Sequence, residues 1–174
     1  QSGSHYSTIQ ALEQWLAPDD INLSFNDGLL FKRLELLVDG KVPAASLFSA
    51  PYYVVEQLGF RKICDSTFMM SGMISGDPDM EDVRKYYAAL RRAQRDIDLR
   101  PELYTHYYLK ELPARYHDMI DVRRMGPGER IVFESYSLDI FENSRAWIAE
   151  HDIFPDGEGM GDASYEEATV SLAG

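Results

Sequence analysis

The residues of this chain whose types and spacing could do chemistry gather in three short stretches: Ser2-Gly3-Ser4-His5, Phe25-Asn26-Asp27, and Ser46 to Pro51. Small hydroxyl residues and a glycine ahead of a helix can present backbone N–H groups and side-chain donors to an anion or a carbonyl, helped by the helix dipole. Two blander readings weigh about as much for the first stretch, plain helix capping and the remnant of an expression tag. Phe25, Phe31, Phe48, Tyr52 and Tyr53 could add a stacking surface for a flat or apolar ligand. Core packing is the stronger reading for Phe31 and Tyr53, whereas Phe48 and Tyr52 flank the loop. The chemistry so defined is binding, with candidate ligand contacts at Ser2, Gly3, Ser4, His5, Phe25, Asn26, Phe48, Ser49 and Tyr52.

Catalytic and metal chemistry find no comparable support. His5, His106, His117 and His151 form no i, i+4 pair and have no cysteine companion, so no zinc site is expected. The chain carries no Gly-x-Gly-x-x-Gly, no phosphate loop and no Gly-x-Ser-x-Gly. Asp19-Asp20 and Glu166-Glu167 are adjacent carboxylates of the surface kind. No nucleophile, base and orienting group assemble, so no catalytic residue, metal or cofactor is assigned, and the balance is against an enzyme. The lone Cys64 excludes an internal disulfide and reads as an inert thiol at the end of a strand.

The elements that must position the three stretches read as alternating helices and strands. Ser7 and Gln10 fit a capping box for a helix with Ile9, Leu12, Trp15 and Leu16 on one face, ending near Ala17-Pro18. A strand is predicted at Ile21 to Phe25, then a helix capped by Asn26 or Asp27 with Leu30, Leu34, Leu37 and Val38 on one face. Gly40 closes that helix, Val42 to Phe48 reads as a buried strand, Ser49 as a cap, Pro51 as a first-turn residue, and Gly59 as the next stop. Strands at Arg61 to Cys64 and Phe68 to Ser75 complete the series. This order predicts an α/β fold, an open, mainly parallel sheet with helices on both faces, whose C-terminal edge would gather the three loops.

Beyond Ser75 the pattern turns helical. Asp77-Pro78 starts a long helix with Val83, Tyr87, Leu90 and Ile97 on one face and Arg84, Lys85, Arg91, Arg92 and Arg95 on a solvated one. Pro101 starts a second helix to Pro113, and Ser137 caps a third carrying Leu138, Phe141, Trp147 and Ile148. Met125-Gly-Pro-Gly128 is a turn, and Ile131 to Phe133 a short extended piece. The expected division is an α/β ligand-binding lobe over 1–75, a helical C-terminal region over 76–155 that packs on it, and a flexible acidic tail over 156–174.

The chain has 174 residues, 45% of them hydrophobic, enough for a sizeable core. A net charge of −12 argues against nucleic acid or an anionic membrane surface as a partner. No apolar run approaches the ~20 residues of a membrane span, so no membrane insertion is expected. The start, Gln1-Ser-Gly-Ser-His-Tyr6, has neither an initiator Met nor a strand to lead into its helix, and reads as an excised fragment.

Three segments together, Ser2 to Leu12, Leu37 to Tyr53 and Leu58 to Asp65, resemble the second lobe of type II periplasmic binding proteins. The nearest branch is the nitrate, sulfonate, taurine and thiamine-pyrimidine substrate-binding family of ABC importers. Tyr86 to Ala93 and Asp98 to Glu102 are similar to that family's C-terminal helices. The resemblance implies capture of a small polar or aromatic solute at Ser2 to His5 and at Phe48-Ser49. It also implies an ABC permease as partner and a periplasmic or lipid-anchored location, and it leaves a cytoplasmic location and a homodimer open. Two departures stand out: the first lobe is missing, and Pro43 replaces the Asp many members carry. The alternatives are an enzyme on the same fold, of the decarboxylase or pyrimidine-precursor synthase type, and an effector-binding regulatory domain.

Overall fold

The computed structural model describes residues 3–25, 30–70, 72–130, 136–154 and 161–170. Seven α-helices occur among them: α1 (Gly3–Leu12), α2 (Leu30–Val38), α3 (Ser49–Gln57), α4 (Met80–Leu99), α5 (Tyr108–Glu111), α6 (Leu138–Glu150) and α7 (Tyr165–Ala168). Five single-turn 3-10 segments connect them, among them Pro101–Leu103, Thr105–Tyr107, Ala114–Tyr116 and Val122–Arg124. No strand is present among the described residues, so the expected parallel α/β sheet gives way to an all-helical fold.

None of the four segments read as strands forms a ladder among the described residues. Physical causes are visible around two of them. Pro43 has no N–H to donate in the run from Val42. In the next, Asp65 accepts from the Thr67 N–H at 2.9 Å and pairs with Lys62 at 2.6 Å, folding the chain locally. Leu47, read as a strand residue, instead packs from its loop against the helical core. Ile131 to Phe133 lies outside the described residues.

The chain divides into two compact units, residues 1–70 with 92–131, and residues 71–91 with 132–174. In the first, α2 and α3 pack on each other around Leu34, Ala50, Val54 and Val55, and Leu112, Tyr116 and Met125 close the same core from the later 3-10 region. Phe31, Leu37, Val38 and Tyr53 shield it from the flank. The periodicity that put Leu34, Leu37 and Val38 on one face of α2 is the periodicity that fills this core.

Helix ends follow local chemistry closely. After α2, the Lys41 N–H bonds to Leu36 O at 2.8 Å and the Gly40 N–H to Leu37 O at 3.1 Å, with Gly40 at φ +65. After α3, Phe60 to Val55 O at 2.9 Å and Gly59 to Glu56 O at 3.1 Å repeat the motif, with Gly59 at φ +85. This paired bonding is the Schellman ending, which wants a residue in the left-handed region. In the second unit α6 ends the same way, Ile153 to Ile148 O at 3.2 Å and Asp152 to Ala149 O at 3.3 Å, but with Asp152 at φ +46 where glycine would sit unstrained. Asp152→Gly is therefore expected to stabilise the fold by about 1 kcal/mol, read as a rise in the thermal midpoint of roughly 2–4 °C. An unchanged or lower midpoint would count against this account of the α6 end.

Also in the second unit, Ser137 caps α6 by accepting from the Ile140 N–H at 3.3 Å, as its position predicts. Tyr136, Phe141 and Tyr165 form an edge-to-face aromatic group, with centroids 6.5 and 5.7 Å apart. Arg145 lies over Phe141 at 5.5 Å and donates to Ala163 O at 2.8 Å. Ser164 and Glu167 make a reciprocal capping box at α7, inside the stretch expected to be a flexible tail.

Candidate functional site

Three of the sequence-marked stretches meet in the first unit, without a sheet edge to gather them. Gly3, Ser4 and His5 form the first turn of α1, where intrahelical acceptors for the backbone N–H groups run out. Helix α1 starts ahead of the expected Ser7 cap: Ser7 lies within the helix, is buried, and bonds back to Ser4 O at 3.4 Å. Gly3 sits beneath the ring of Phe68, 2.6 Å from where a Cβ would be, so the close approach requires glycine.

Arg33, on the second turn of α2, connects the first stretch to the third. Its Nη1 donates to Ser4 Oγ at 3.1 Å and to Ser46 O at 3.4 Å. Both acceptors are neutral, and no carboxylate pairs with this half-buried guanidinium among the described residues. Guanidinium stays charged and has five N–H donors in a planar fork. With only Nη1 engaged, the remaining donors and the positive charge face no compensating anion among the described residues. A half-buried cation in that state gains most from a carboxylate, sulfonate or phosphate oxygen pair.

His5 brings the second stretch in. Its ring stacks on Tyr6 at 4.8 Å and meets Phe25 edge-on at 4.8 Å, and Phe25 is 68% exposed, leaving one face open to a flat ligand. Burial lowers the pKa of His5, so the imidazole is neutral near pH 7. Its Nδ1 is buried with no hydrogen-bond partner among the described residues.

Phe48, Ser49 and Tyr52 belong to a second cluster. Phe48 occupies the N-cap of α3 with extended backbone, and Ser49 follows at φ +53. Ser49 is thus the first helical residue and not the side-chain cap its position suggested. Its hydroxyl and the Tyr108 phenol both approach Gly128, and burial pushes the phenol's pKa up to about 12. At that value the Tyr108 phenol keeps its proton near pH 7 and offers the strained serine no base. The Tyr108 hydroxyl also donates to Gly126 O at 3.2 Å, and Tyr53 and Tyr108 press on Gly126 and Gly128, which fills the space a ligand would need. Tyr52 bonds to Glu56 at 3.4 Å and stands against Tyr53 at 5.5 Å. Ser2 and Asn26 lie outside the described residues.

Arg33 was not among the sequence candidates, because a basic residue on an amphipathic helix carries no signal distinguishing it from solvated charge. Two of the other histidines have structural roles: His117 bonds to Leu112 O at 2.9 Å, and His151 to Trp147 O at 2.9 Å while stacking on that indole at 4.1 Å; His106 is exposed and lies against the Tyr107 ring at 4.2 Å. Among the described residues no cluster of His, Cys, Asp and Glu could hold a metal, and no helix is long and apolar enough to cross a membrane. Cys64 is half-buried and lies outside any helix. Comparison with family models, curated proteins and solved structures finds no match for this chain.

Proposed function

We propose that this chain binds a small anionic solute, a carboxylate, sulfonate or phosphate, in front of Arg33 at the first turn of α1. The observation that supports it is the half-buried guanidinium whose acceptors among the described residues are the neutral oxygens of Ser4 and Ser46. The N–H groups of the α1 first turn add a favourable dipole end, and the exposed ring of Phe25 suits an aromatic body on the ligand. Delivery to an import permease rested on an α/β lobe with a sheet edge; the helical fold removes that support and leaves ligand capture as the reading.

Thermal melts of the whole chain in acetate, methanesulfonate and phosphate, against chloride at equal ionic strength, test it. At least one anion is expected to raise the midpoint in a saturable way. Arg33→Ala should weaken binding about 10- to 100-fold relative to its own anion-free baseline, with Arg33→Lys intermediate, since a point charge replaces the fork. Identical melts in all four salts would remove the proposal.

A further inference from the structure

The second unit holds a separate apolar groove of about 310 Å³, formed where residues 72–74 lie along the first turns of α4. Val83, Tyr86 and Tyr87 stand at i, i+3 and i+4, the spacing that places three side chains on one helical face. Gly72 lets the chain lie close over that face: a Cβ there would come within 3.1 Å of the Tyr87 hydroxyl. Met73 and Ile74 form the opposite wall, Met73 being 93% exposed. A methionine so placed is an adaptable wall, since its thioether and three rotatable bonds fit irregular partners.

The electrostatics of the groove select its occupant. The rings of Tyr86 and Tyr87 are 5.8 Å apart at 78°, and the Tyr86 ring presents its π surface at the groove. Asp82 lines the groove one helical turn before Tyr86. Around it, Asp77, Asp79 and Glu81 make four carboxylates against two cations, Arg84 and Lys85, over residues 77–85. Lys85 rests chiefly on Glu81, at 2.8 Å, and stands 3.6 Å from Asp82, so Asp82 keeps most of its accepting capacity. Aromatic faces, thioether and carboxylate together favour a cation with an apolar coat over a neutral hydrocarbon or an anion.

We propose that this groove binds the quaternary ammonium group of a small solute. The π face of Tyr86 attracts the methyl-coated charge, Tyr87 lines the groove beside it, Met73 and Ile74 cover it, and Asp82 supplies the counter-charge. A primary ammonium would be disfavoured, because its strong hydration has no set of buried acceptors here to replace it.

The test is titration of the whole chain with choline, followed by amide NMR shifts of residues 72–74 and 82–87. The same titration with 3,3-dimethylbutan-1-ol, the uncharged carbon isostere, isolates the contribution of charge and needs no variant. Choline is expected to saturate in the millimolar range with shifts confined to those residues, and the isostere to bind at least about tenfold more weakly. Tyr86→Leu, at a position already 62% exposed, should weaken choline about tenfold while Tyr86→Phe retains it. No saturable choline response, equal binding of the isostere, or full binding by Tyr86→Leu would each overturn the proposal.

Discussion

Leu34→Ala is expected to destabilise the first unit by about 3 kcal/mol, lowering the thermal midpoint of the chain by roughly 6–12 °C. Leu34 has no exposed surface and touches the one core cluster that joins α2, α3 and the 3-10 region around Tyr116. The lost transfer energy of three carbon atoms accounts for part of this figure, and the rest comes from the cavity left between two helices that cannot fully close. Leu34→Met, which conserves volume, should cost less than about 1.5 kcal/mol. Chemical denaturation of both variants checks the pair, and a similar loss in each would mean that the core around Leu34 is not packed as described.

Gly128→Ala is expected to cost a comparable amount, about 3 kcal/mol, by a different route. Gly128 sits at φ +86, where an L-residue is disfavoured by about 1–2 kcal/mol, and its added Cβ would overlap the Tyr108 hydroxyl. Displacing that hydroxyl breaks its bond to Gly126 O, worth roughly another 1 kcal/mol. The double variant Gly128→Ala with Tyr108→Phe should recover the steric part and leave the backbone part, a coupling a double-mutant cycle can read. Additive losses would show that Tyr108 and Gly128 do not meet.

Much of the helical layout was legible because it is encoded locally. The stops at Gly40 and Gly59, the apolar face of α2, the long α4 and the Ser137 cap each depend on residues within one or two turns. The sheet was misread for the complementary reason. Short apolar runs such as Val42 to Phe48 look alike whether they are destined for a ladder or for packing as loops against helices, and only a partner strand, which the sequence does not mark, decides between them. Between Pro101 and Pro113 the expected continuous helix breaks into single turns and the four-residue α5. Four aromatic rings, at Tyr104, His106, Tyr107 and Tyr108, crowd this stretch, and such residues propagate helix poorly.

The candidate site shows the same division. Ser4, His5, Phe25 and Ser46 were visible as residue types beside a helix start, but the guanidinium that ties Ser4 to Ser46 comes from Arg33, 29 residues beyond Ser4. That long-range contact is the part of the site no local pattern carries. Conversely, the Phe48-Ser49 loop carries the local signature of a ligand loop, yet Tyr53 and Tyr108 already occupy its surroundings.

The two glycines facing those tyrosines are constrained unequally, and this sets how the four positions can change together over evolutionary time. At 128 the obstruction is the Tyr108 hydroxyl alone, with the ring carbon behind it 3.6 Å away, so phenylalanine at 108 would open 128 to alanine on steric grounds. At 126 the Tyr53 ring itself lies in the way, its Cζ 2.8 Å from the would-be Cβ, and loss of the hydroxyl does not clear it. Positions 108 and 128 should therefore covary among descendants of this sequence, whereas Gly126 should stay fixed for as long as any ring is kept at 53.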